Sequence, residues 1–131
     1  MSDLQCPATI LLFAPESVAA GGAQAILEAR HLSGVFVASA VAADPSGGAA
    51  AAMLADERAW RLSTLPDVAD GASLARAIDD LADLHRGETI AVVGSRDMIQ
   101  DMLGDDSAGP DPITIAVDSS GWVVSRGGRR A

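Results

Sequence analysis

The chain has no lysine, so all nine of its positive side chains are arginines, set against 18 carboxylates for a formal charge of −9. A field of that sign repels phosphate backbones and anionic membranes, which argues against nucleic acid and against a membrane surface as partners. The one basic cluster, Arg126, Arg129 and Arg130 at the C-terminus, reads as a solvated tail. Cysteine is nearly as scarce. Cys6 stands alone, so neither an internal disulfide nor a cysteine cage for a metal can form, and a reducing, cytoplasmic setting is the simpler expectation. No arginine precedes Arg30, so the positive region of a signal peptide is missing, and the apolar run Ala8 to Pro15 is far too short for a membrane span. Aromatic residues make up only 3%. The interior is therefore expected to be a tight core of Ala, Val, Leu and Ile. At 131 residues one domain over 1–131 is the expectation, because two cores would each be too small to offset the entropy of ordering their share of the chain.

Short apolar runs and helical stripes alternate along the chain. Thr9 to Phe13 is a continuous apolar run closed by Pro15, the pattern of a strand buried on both faces. Ile26, Leu27, Arg30 and His31 fall at helical spacing within Ala23 to Leu32, and Gly34 supplies a stop. Val35 to Ser39 predicts a second strand, and the turn Asp44 to Gly48 leads to an Ala-rich helix over Ala49 to Leu54. Ala59 to Gly71 is the least regular stretch, with Trp60, Leu62 and Leu65 spaced as in a short edge strand or a loop. The clearest helix follows: Ser73 is placed to cap it, Leu74, Ala77, Ile78, Leu81 and Leu84 form its apolar stripe, and Gly87 ends it. Thr89 to Val93 predicts another buried strand, and Met98, Ile99, Met102 and Leu103 a short helix ending at Gly104. After a polar loop over Asp105 to Pro112, Ile113 to Val117 and Trp122 to Ser125 flank Asp118 to Gly121 as an antiparallel hairpin. The alternation predicts an α/β domain of three layers, α/β/α, with a mainly parallel sheet, a C-terminal hairpin, and ligands beyond the C-terminal strand ends.

Chemistry-bearing motifs are sparse. Gly21-Gly22, Gly47-Gly48 and Gly127-Gly128 are isolated pairs without the spacing or the lysine of a phosphate loop and read as turns. His31 and His85 sit near helix ends, where a cation meets the dipole favourably and no metal or catalytic role is required. Asp79, Asp80 and Asp83 read as a solvated helix face. Ser39 and Ser95 follow predicted strands, the place for an α/β nucleophile, yet neither lies in a Gly-x-Ser-x-Gly elbow. No metal site and no cofactor are expected.

The segment Leu74 to Leu103 resembles the histidine phosphatase family, also called phosphoglycerate mutase-like. In that family a helix ends in a His-Pro-Gly-Glu-like turn, followed by a strand, a catalytic His, two small residues and another helix; His85-Arg86-Gly87-Glu88 is similar to that turn. On the same plan Thr9 to Phe13 resembles the family's first strand, Ala23 to Leu32 its first helix, Val35 to Ser39 its second strand, and the hairpin with Trp122 its closing strands. Ala55 to Gly71 is shorter than the insertion many members carry there.

The departures fall on the chemistry the resemblance implies. After the first strand the family carries Arg-His-Gly, whose His is phosphorylated; here stand Ala14, Pro15 and Glu16. After the second strand it carries Ser-Pro-Leu and then a phosphate-binding Arg; here Ser39-Ala40-Val41 leads to Ala42-Ala43-Asp44. The family's second catalytic His is replaced by Ser95, with Arg96 and Asp97 behind it. Phosphoryl transfer to a protein needs a nucleophile and several fixed positive charges. Glu16 and Asp97 would instead place negative charge near helix N-termini, where an anion would otherwise bind. The resemblance thus implies a vestigial pocket of Ala14, Pro15, Glu16, Ser39, Ala43, Ser95, Arg96 and Asp97, with no catalytic residue. The expected function is that of a degenerate, non-catalytic domain that binds a protein partner or a small ligand, with self-association open. Two readings stand beside it: an enzyme that reuses the pocket for other chemistry on a small neutral or cationic ligand, and an unrelated α/β domain with a different strand order.

Overall fold

A computed structural model describes residues 8–14, 34–44, 48–49, 52, 61–103, 113–118 and 121–126. They form an α/β fold with a six-stranded mixed sheet. Its elements in chain order are strand β1 (Ala8–Phe13), β2 (Val35–Ala38), the single-turn helix α1 (Ser39–Ala42), β3 (Leu62–Leu65), α2 (Gly71–Leu84), β4 (Thr89–Val93), α3 (Arg96–Leu103), β5 (Ile113–Asp118) and β6 (Gly121–Arg126). The sheet order is β3-β2-β4-β1-β5-β6. Neighbours among the first four strands are parallel, whereas β5 runs antiparallel to both β1 and β6. Only β5 therefore opposes the direction of the other five.

Burial explains the continuous apolar runs. Ile10, Leu11 and Leu12 are all buried, as are Ile90 through Val93, so β1 and β4 bury side chains on both faces. Helix α2 packs on β1 and β5 and against α3. It buries Leu74, Ile78 and Leu81 of the expected stripe, together with Ala82, which that stripe does not include, and α3 adds Met98 and Ile99 to the core. Ala77 is partly buried against this core, and Leu84 is exposed.

Two element boundaries differ from expectation. Helix α2 starts earlier than a Ser73 cap would have it: Asp70 is the cap, its carboxylate accepting from the Ser73 N–H at 2.9 Å, while the Ser73 hydroxyl accepts from the Asp70 N–H at 3.1 Å. Ser73 is the returning arm of a capping box, and the aspartate offers the stronger acceptor for helix N–H groups. Strand β2 ends at Ala38, and Ser39 opens α1, because its hydroxyl is claimed by a neighbouring segment described below. The irregular stretch resolves at Leu62–Leu65 into an edge strand parallel to β2. The helix expected over Ala23 to Leu32 lies outside the described residues, as does most of Ala49 to Leu54, of which Ala49 and Ala52 are helical.

The turn from α2 into β4 is made by His85-Arg86-Gly87-Glu88. His85 is the C-cap, Glu88 N–H donates to the His85 carbonyl at 2.9 Å, and Gly87 has φ +77°, a conformation that costs other residues their Cβ clearance. At the other end of α2, Gly71 N–H donates to the Asp101 carboxylate of α3 at 3.0 Å. A Cβ on Gly71 would lie 2.5 Å from the Met102 nitrogen and 2.6 Å from that carboxylate oxygen. Only glycine permits this approach of the two helices.

Two outcomes follow from these helix ends. Gly71→Ala should destabilise the fold by about 1 to 3 kcal/mol, the usual cost of overpacking, read as a lower urea midpoint at unchanged slope. Hydrogen bonds from the Ser73 side chain and N–H hold the Asp70 carboxyl below its ordinary pKa. A depressed folded pKa contributes stability above the unfolded value and loses it as pH falls through the folded one. Asp70→Ala should therefore lower the thermal midpoint at pH 7, and the difference from the native chain should shrink once the pH drops below the ordinary aspartate range.

Candidate functional site

Four parallel strands ending on one side bring their C-terminal residues together. Val93 of β4 pairs with Phe13 of β1 on one side and with Val37 of β2 on the other. Ala14, Gly94 and Ala38 therefore follow one another across three adjacent strands, each about 4.8 Å from the next. The connection leaving β1 leads toward β2, and that leaving β4 leads to β5 on the opposite side of β1, so adjacent strands here send their chains in opposite directions. In an open α/β sheet this is where ligands bind.

The hydroxyls at this end have structural partners. Ser39 Oγ accepts from the Val68 N–H at 3.0 Å and donates to the Val68 carbonyl at 3.2 Å, and Ala40 N–H donates to that same carbonyl at 3.2 Å. The serine thus ties the start of α1 to the segment after β3, where Val68 is buried. Ser95 Oγ accepts from the Met98 N–H at 3.2 Å, and the Ile99 N–H donates to the Ser95 carbonyl at 3.0 Å, so Ser95 caps α3. Among the described residues no histidine is hydrogen-bonded to either serine. His85 lies at the opposite end of the sheet, before β4, with its Nδ1 2.7 Å from Glu88 Oε1 and its ring 5.6 Å, edge-on, from Phe36.

The remaining positions are placed as follows. Ala14 is buried at the end of β1. Ala43 is the exposed C-cap of α1, its N–H donating to the Ser39 carbonyl at 3.0 Å. Arg96 and Asp97 form the exposed first turn of α3, the carboxylate favourably placed at the positive end of that helix. Pro15 and Glu16 lie outside the described residues. Ala14, Ser39 and Ser95 thus share one end of the sheet through their strands, while Ala43 sits one helical turn beyond Ser39.

Several contacts escape a linear reading. Asp79 is more than part of a solvated face: its Oδ1 accepts from Trp122 Nε1 at 2.8 Å, across 43 residues. Asp83 accepts from Arg86 at 3.0 Å. Asp79, Asp80, Ala82, Asp83, Arg86 and Val117 line a groove of about 240 Å³ between α2 and β5. A tryptophan signals only that its indole N–H will want an acceptor where it is buried; the choice of Asp79, 43 residues away, is not legible in the sequence. The Asp101 carboxylate that receives Gly71 had no signal in the local pattern. Among the described residues no buried side-chain polar atom lacks a partner, and no three His, Cys, Asp or Glu converge as they would on a metal ion. None of the described helices is long and apolar enough to cross a membrane.

No protein-family model matches the chain, and neither a curated protein nor a solved structure matches it significantly.

The Ser39 latch is testable. Ser39→Ala removes the acceptor of the Val68 N–H, while the Val68 carbonyl keeps the Ala40 N–H, and the expected cost is about 1 to 3 kcal/mol in denaturant unfolding. Ser39→Thr, which keeps the hydroxyl, should recover part of that loss.

Proposed function

We propose that this chain is a catalytically degenerate domain of the histidine phosphatase kind, built on a three-layer phosphoglycerate mutase-like plan, and that it acts by binding, as a regulatory or assembly partner, rather than by catalysis. The observation that carries this reading is the occupancy of the strand ends. Where the resemblance calls for two histidines and two cations, β1 ends in a buried Ala14, Ser39 is bonded to Val68, and Ser95 caps α3. Arg96 is the one cation of the set, and Asp97 beside it offsets its field. A phosphoryl group in flight carries its charge on three oxygens and needs several fixed donors or cations around it, together with an attacking group. One exposed arginine does not supply them.

The plan of the fold draws support from three features. The sheet has a parallel set of strands with β4 between β1 and β2, followed by closing strands beside β1. The segment His85 to Glu88 forms the turn between α2 and β4, where the resemblance requires one. Burial of both faces of β1 and β4 suits a sheet covered by two helical layers.

The purified chain should release no p-nitrophenol from p-nitrophenyl phosphate above the buffer rate, with or without added divalent metal. Turnover that disappears in Ser95→Ala or Arg96→Ala would overturn the reading, because it would place phosphoryl chemistry at these strand ends.

A further inference from the structure

We draw no further inference here: the strongest candidate, the acidic groove between helix α2 and strand β5 lined by Asp79, Asp80 and Asp83, is a cluster of carboxylates in which Asp79 is engaged by Trp122 and Asp83 by Arg86, and nothing in the structure shows what covers it.

Discussion

Insertion of β4 between β1 and β2 is the constraint from which the rest of the structure follows. Ala91 pairs with Leu11 on one side and Val35 on the other, and Val93 likewise pairs with Phe13 and Val37. Strands β1 and β2, far apart in the chain, each satisfy the backbone groups of one edge through this strand, and its side chains from Ile90 to Val93 are wholly buried. An unpaired backbone group in that interior would cost about 1 to 3 kcal/mol, so the pairing leaves little freedom of register. Once it is set, α2 must cross from the β3 edge back over β1, and the turn His85 to Glu88 must deliver the chain to Thr89, where the Thr9 N–H bonds to the Glu88 carbonyl at 2.9 Å.

The same arrangement assembles the C-terminal strand ends, and there the chain spends its polar groups on architecture. Ser39 holds the segment after β3, Ser95 caps α3, Asp70 and Ser73 cap α2, and Asp101 receives the first N–H of α2. The Ser95, Asp70 and Asp101 oxygens answer backbone N–H groups that helix geometry leaves without an internal partner, and the Ser39 and Ser73 hydroxyls answer those of the segment from Val68 to Asp70. An enzyme keeps such groups poised for substrate. Here the hydrogen-bond partners of both serines are the protein's own backbone, which supports the proposal that this end binds rather than reacts.

The two ends and the two edges of the sheet differ in character. The end carrying His85 and Glu88 joins an imidazole to a carboxylate and to the edge of Phe36, a local arrangement that closes the turn into β4. Beside it the α2 aspartates line a groove with Val117 of β5, and Trp122 of β6 bridges strand to helix through Asp79. At the sheet edges, β3 is four residues long and followed by Pro66, a short edge of the kind that resists further pairing, whereas β6 is six residues long and carries exposed valines.

Local pattern determined the element types, because apolar spacing reports directly which side of a segment meets the core. The continuous runs at Ile10 to Leu12 and Ile90 to Val93 required burial on two faces, and Leu74, Ile78 and Leu81 required one buried helical face. The acidic balance and the lone cysteine were equally plain in the sequence. Tertiary structure alone decided which residues meet. Gly71 against Asp101, Ser39 against Val68 and Trp122 against Asp79 join positions 30, 29 and 43 residues apart. Partners at such separations are chosen by the crossing of strands and helices, and periodicity within a segment holds no record of them.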